Sequence, residues 1–306
     1  MSRVVFLLMP GLHLLDLAGP AQVFSTAADL GHDYELDYVS QHGEVLSAQG
    51  LPLRAEREWP DLTADDLVLV PGSRVPDPPR WPRLHSATAQ ELRDHHGSGG
   101  TIASVCSGAD VLGQAKLLDG RRCTTHHDLQ DELARRHPAT SVVRDVLFVS
   151  DGGVVTSAGI ASGIDLALHL LAEECGPGEA ARVAREMVVY ARRNGDEQQA
   201  SAMLRHRAHL DDAVHRVQDV IDARFTEPLP LSELAADAGI SERTLTRSFS
   251  KATGLTPLRY QQVLRLERAD HLIGRGATAE SAARAVGLAD ARMLRRIRTR
   301  EAAARS

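Results

Sequence analysis

Six short runs of β-branched and aliphatic residues recur through the first 160 residues, and no convincing strand follows them. They are RVVFLL (3–8), YELDYVS (34–40), DLVLVPG (66–72), TIASVC (101–106), LFVS (147–150) and VVTSAG (154–159). Helix-like stretches lie near 20–29, 82–95, 108–116, 128–136 and 162–174. Alternation of this kind predicts a parallel-rich sheet covered by helices on both faces. Ligands of open α/β sheets sit at the carboxyl ends of the strands. The loops carrying Asp16, Gly72, Cys106 and Gly159 are therefore expected to converge.

A different grammar takes over further on. Residues 1–192 read as one α/β domain, the polar stretch RNGDEQQASAMLRHRA (193–208) as a linker, and 209–306 as short helices punctuated by Gly and Pro. Within that last region LSELAADAGISERTLTRSF (231–249) and ATAESAARAVGLADARMLRRI (277–297) superimpose at an offset of 48. The offset sets Ala235 on Ala283, Gly239 on Gly287, Leu245 on Met293 and Phe249 on Ile297. Helix, Gly-containing turn and second helix make a helix-turn-helix, here duplicated.

With Leu245 and Phe249 facing inward, the outward positions are Arg243, Thr246, Arg247 and Ser250, and in the second copy Arg292, Arg295 and Arg298. Arg can bridge guanine O6 and N7 or neutralise phosphate, and Ser and Thr do either more weakly. The connecting stretch 258–273 is long enough, at roughly 24 Å, to set two recognition helices in successive major grooves about 34 Å apart. Charge agrees: residues 241–306 hold 14 Lys and Arg against 6 Asp and Glu, while the rest of the chain holds 21 against 35. A basic end on an acidic body points to double-stranded DNA as a partner, the plain alternative being a solvated Arg-rich helical surface.

LSELAADAGISERTLTRSFSKATGLTPLRYQQVLRLERADHLI closely resembles the DNA-binding domain of AraC/XylS-type transcriptional regulators, over about 209–300. The pattern S-x-R-x-L-x-R-x-F, then G-x-x-P and R-L-x-x-A, is specific in the first copy. In the second, Gly287-Leu288 stands where the family has Gly-Phe, and the closing aromatic, Gly and Pro segment is missing.

Upstream, LLDLAGPAQVF (14–24), VPG (70–72), SVCSGADVLGQAKLLDGRRCTTHH (104–127) and VVTSAGIASGIDLALHLL (154–171) resemble the PfpI/class I glutamine amidotransferase-like domain. In GlxA-type regulators it is fused to an AraC-type module, and that resemblance covers nearly the whole chain. It implies a flavodoxin-like sandwich, a homodimer through this domain, and a cysteine on a strand-to-helix elbow with a histidine and an acid nearby. Cys106 takes the elbow position, His126 the histidine position, and Asp16 comes from the first helix region. A thiol at a helix amino terminus is expected to be acidified by the helix dipole, and the amides of Gly72 and Ser107 are expected to form an oxyanion pocket.

Three readings of this domain follow. A Cys106–His126 hydrolase suits the elbow, yet peptidase-like members carry His directly after the cysteine, where this chain has Ser107. Asp16 beside Cys106 resembles the isonitrile hydratases of the superfamily, which have Cys-Thr at the elbow. The reading preferred here is a pocket of Asp16, Gly72, Cys106, Ser107 and Gly159 that senses a small metabolite or the redox state of Cys106 for the DNA-binding domain. Bland roles compete residue by residue: a packed thiol for Cys106, a helix-start carboxylate for Asp16, and capping of the 128–136 helix for His126 and His127.

The remaining signals bound the setting. Three cysteines, 106, 123 and 175, with no Cys-x-x-Cys pair, predict free thiols in a cytoplasmic protein. The most apolar early segment is broken by Pro10, His13, Asp16 and Pro20, so neither a membrane span nor a signal peptide is expected. With no metal-ligand spacing and no phosphate-binding loop, no metal or cofactor is expected.

Overall fold

In the computed structural model, the first strand, β1 (Ser2–Leu7), sends Val4 and Phe6 into one apolar cluster and Val5 and Leu7 into another, each 0–1% exposed. A period of two with both faces buried is the mark of a sheet sandwiched between helices. The structure describes residues 2–76, 81–189, 193–196, 199, 206–207, 209–274 and 276–305. The chain divides into two units, Met1–Gln199 and Ala200–Ser306. Much of the expected linker, 193–208, lies outside the described residues, as do residues 190–192 before it.

The sheet of the first unit runs β2 (Tyr34–Val39), β1, β5 (Leu67–Val70), β6 (Thr101–Val105), β10 (Val154–Ser157), β9 (Phe148–Asp151). All pairings are parallel except β10 with β9. Helices α1 (Leu14–Asp29), α5 (Ser162–Cys175) and α6 (Pro177–Glu186) supply Leu17, Phe24, Leu166, Leu171 and Val183 to one cluster. Helices α2 (Ser86–Gly97), α3 (Gly108–Gln114) and α4 (Gln130–Arg136) supply Leu92, Leu112 and Leu133 to the other. This is the parallel-rich sheet covered on both faces that the alternation implied, in the flavodoxin-like form that the resemblance implied. Two small pairings were not anticipated: β3 (Glu44–Leu46) with β4 (Pro52–Arg54), and β7 (Arg122–Cys123) with β8 (Ser141–Val142). The three cysteines are free, and no helix of the described residues is long and apolar enough to cross a membrane.

Gly19 and Gly163 explain how α1 and α5 cross closely enough to carry Asp16 to the strand ends. A methyl at Gly19 would lie 3.0 Å from Ile164, and one at Gly163 would lie 3.3 Å from Pro20.

The second unit is helical: α7 (Asp212–Arg224), α8 (Leu231–Asp237), α9 (Glu242–Thr253), α10 (Pro257–Gly274), α11 (Ala279–Ala285) and α12 (Ala291–Arg305). One apolar cluster gathers Val217, Ile221, Leu234, Leu245, Phe249 and Val263; a second gathers Leu266, Ala269, Ala283, Leu288, Leu294 and Ile297. Helix α10 contributes to both, so it is the beam shared by two helix-turn-helix modules. Burying side chains such as Leu245 and Phe249, both 0% exposed, contributes about 1.5–3 kcal/mol each. Arg265, on the same helix, donates to the carbonyls of Phe225 (2.6 Å) and Glu227 (2.8 Å), and to that of Gly287 (3.4 Å) in the second module's turn. Both turns need glycine. Gly239 and Gly287 have φ of +68° and +75°, and a methyl on Gly287 would lie 1.8 Å from the Thr226 carbonyl oxygen.

Candidate functional site

Strand β6 ends at Val105, and the next residue, Cys106, has φ +57°, a left-handed conformation that costs a non-glycine residue about 1–3 kcal/mol. Three contacts hold it there. Its amide donates to the Ser157 carbonyl (2.9 Å), its carbonyl accepts the Thr125 hydroxyl (2.7 Å), and Gly108 after it fits because a methyl would lie 2.2 Å from the Val70 carbonyl oxygen. Ser107 closes the elbow with a reciprocal pair: its hydroxyl donates to the Ser73 carbonyl and accepts the Ser73 amide, both at 2.7 Å.

Around the thiol the loops converge as the sheet topology requires. A methyl on Gly72 would lie 2.6 Å from Asp16 Oδ2, 2.7 Å from Cys106 Cβ and 2.9 Å from the Ser107 nitrogen; one on Gly159 would lie 2.3 Å from Cys106 Cβ. The structure thus brings together Asp16, Gly72, Cys106, Ser107 and Gly159. Asp16 is 0% exposed and has no hydrogen-bond partner of good geometry at either oxygen. The Gly72 amide and the Cys106 thiol face it, at looser geometry.

Burial therefore wins over these contacts and pushes the Asp16 carboxyl up to about 7. It does not cap its helix; the carboxylate is aimed at the elbow. The Cys106 thiol is also pushed up, to about 12, first by burial and then by the neighbouring Asp16 charge. This corrects the expectation of an acidified thiol. The Ser107 amide does favour the thiolate, but α3 has seven residues, and desolvation at 5% exposure outweighs it. The Gly72 amide is turned to Asp16, so of the two oxyanion donors expected, the Ser107 amide is the one that faces sulfur. Chemically the pair is a protonated thiol beside a carboxyl group that changes charge near neutral pH; because the thiol holds its proton far more tightly than the carboxyl does, the nucleophile stays latent until something draws that proton away.

His126 is placed otherwise. Its Nδ1 accepts the Asp128 amide (3.4 Å) and lies 3.7 Å from the Asp128 carboxylate, and its ring sits 4.1 Å from that of His127. Burial, then His127, lowers its pKa. It is joined to neither Cys106 nor Asp16. Sequence reasoning missed a buried knot just past the elbow: Asp110, 1% exposed, accepts from Arg136 Nε (2.7 Å), His137 Nε2 (2.8 Å) and Gln114 (2.8 Å). These donors hold its carboxyl below the usual range despite burial. No local pattern announces an Asp whose partners lie up to 27 residues away.

In the second unit, Arg243 and Arg247 are exposed and Thr246 and Ser250 half-buried on α9, where with Leu231 and Glu242 they line an open groove of about 520 Å³. Ser241 caps this helix by accepting the Thr244 amide. Arg292, Arg295 and Arg298 are exposed on α12, Arg298 paired with Asp270. Inside this helix the offset of 48 holds at Ile297, 5% exposed as the counterpart of buried Phe249, but not at Met293. Leu294, 1% exposed, is the buried counterpart of Leu245, while Met293 is 36% exposed. The cause is Asp290, which accepts the amides of Arg292 (2.8 Å) and Met293 (2.9 Å) and so starts the helix one residue later than Ser241 starts α9. One residue turns the face by about 100°. Arg296 is exposed as well, beside Arg295.

A buried cysteine elbow on a parallel-rich sheet, in one chain with paired helix-turn-helix modules, defines a fusion of an α/β domain with a helix-turn-helix domain, and comparison with known proteins names both parts. Residues 2–173 match the DJ-1/PfpI family and residues 234–303 a helix-turn-helix domain, so the chain belongs to the DJ-1/PfpI family, in its fusion with an AraC-type module. It is 31% identical, over 88% of its length and 79% of the relative's, to the HTH-type transcriptional regulator CdhR of Pseudomonas aeruginosa. It is 35% identical, over 57% of its length and 72% of the relative's, to an isonitrile hydratase of Pseudomonas putida. A solved AraC family transcriptional regulator from Pseudomonas putida aligns with 61% of this chain and 100% of its own, at TM-score 0.52 and 26% identity. The chain has the architecture of a helix-turn-helix transcriptional regulator.

Proposed function

We propose that this protein is a cytoplasmic, dimeric regulator whose first unit binds a small polar molecule at the Asp16–Cys106 cleft and thereby sets how α9 and α12 engage double-stranded DNA. The observation that carries the reading is Asp16: a fully buried carboxylate met only by loosely placed partners, the Gly72 amide and the Cys106 thiol, beside a cysteine with a strained backbone. An arrangement so costly persists where a ligand completes it. The DNA side rests on exposed Arg243 and Arg247 with half-buried Thr246 and Ser250 on α9, and on the Arg-rich face of α12. The test is DNA affinity of wild type and Asp16→Asn across a panel of small polar metabolites. At least one metabolite should shift wild-type affinity by fivefold or more, about 1 kcal/mol of coupling, and leave the variant unmoved; identical responses in both chains reject the sensing role.

The isonitrile hydratase relative, together with Asp16 beside Cys106, favours a second reading in which the cleft turns over a substrate. Isonitrile hydration lost in Cys106→Ala and in Asp16→Ala would establish it, and equal background rates in all three chains would dismiss it.

A further inference from the structure

Residues 126–128 put two imidazoles and one carboxylate around a single point. His126 Nδ1 lies 3.7 Å from Asp128 Oδ2, His127 Nε2 lies 3.4 Å from Asp128 Oδ1, and the three donor atoms fall within 4.8 Å of one another. As ion pairs these distances are poor, since charge-assisted bonds close to about 2.7–2.9 Å. The two contacts end on opposite oxygens of the carboxylate, but one ligand atom from each residue lies within 4.8 Å of the others, a spread that small side-chain rotations close to the about 3.3–3.4 Å separating donors on a tetrahedral ion.

We propose that His126, His127 and Asp128 bind one divalent transition-metal ion of the zinc type, with water completing the shell and the ion displacing the long 3.4 Å Asp128 amide contact if His126 ligates through Nδ1. Two imidazoles and a carboxylate are the donor set of zinc and its neighbours, whereas magnesium and calcium prefer oxygen alone. The site is preorganised from one side. Thr125, 1% exposed, is pinned by its hydroxyl to the Cys106 carbonyl (2.7 Å), and its own carbonyl accepts the Gln199 amide (2.9 Å). Beyond that anchor the chain bends into the short 3-10 turn His127–Leu129, which brings three consecutive side chains to one side. His127 and Asp128 are exposed, so an ion can enter from solvent. Consecutive ligands have no helical spacing, which is why the sequence carries no recognisable metal motif here. The ion would sit on the loop that buttresses the cysteine elbow.

The experiment is a competition titration of the full-length protein with Zn²⁺ and Co²⁺ against a chromophoric chelator. Wild type should hold one ion per chain, and bound Co²⁺ should show the intense visible absorption of a tetrahedral centre. His127→Ala and Asp128→Asn, both at exposed positions and checked for folding by thermal melts, should each weaken the ion tenfold or more. His32→Ala, a histidine engaged with Glu179, should bind as wild type does. Failure of wild type to saturate at one ion per chain overturns the proposal. So does equal affinity in the two loop variants and wild type, or an equal loss in His32→Ala.

Discussion

The cysteine elbow and the helices proposed to face DNA place their candidate working residues by opposite means. At the elbow, Asp16 is 0% exposed with only loosely placed partners at its oxygens, and Cys106 is held at φ +57°. On α9 and α12 the working side chains stand in solvent on helices with ordinary caps, over apolar faces that pack normally. Function in the first region costs stability; in the second it is laid on a scaffold that would fold the same without it.

The sharpest way to break this contrast is to damage the scaffold of α12. Leu294→Ala should destabilise the second unit by about 2–5 kcal/mol, while Met293→Ala should change it by no more than about 0.5 kcal/mol; urea unfolding of both variants decides, and a reversed ranking would restore the 48-residue register.

Next in size is the elbow. Asp16 ionises near 3.8 in the unfolded chain and at about 7 in the native one. Its contribution is neutral below the first value, turns unfavourable as pH rises between them, and stays unfavourable above 7. Asp16→Asn should abolish a pH-dependent loss on the order of 2–4 kcal/mol between pH 4 and pH 8. Parallel stability curves for wild type and variant over that range would show that burial there is free.

Smallest are the surface changes. Arg243→Ala should leave the melting temperature unchanged yet cost about 1–3 kcal/mol in specific DNA binding, with relaxed base preference. Arg295→Ala should weaken all sequences alike and lower the salt slope by about 1. Equal, non-selective effects of both would mean that α9 reads phosphate as α12 does.

How much of this was written in the chain differs by region for physical reasons. Strands β1, β5, β6 and β10 were legible as short runs buried on both faces, and the edge strands β2 and β9, which carry Glu35, Asp37 and Asp151, by their aromatic and aliphatic residues; β3 and β4 were not, since each has three residues with its two ends exposed. Convergence of Asp16, Gly72, Cys106 and Gly159 followed from strand order alone. The direction of the thiol shift did not, because it depends on burial depth and on a carboxylate from another helix. The Met293–Leu294 register was hidden because both residues are apolar, and the deciding signal was the cap at Asp290. His126 looked like a partner of Cys106 from position alone, while its ring orientation is set by His127 and Asp128.

Arg265 bonds three carbonyls that belong to two different modules. A fork of this kind makes the distance between the recognition helices a property of the protein, as fixed as the gap of a caliper. Operators should then forgive a changed base more readily than an inserted one, for an insertion advances one half of the target along the double helix and twists it away from a reader that cannot follow.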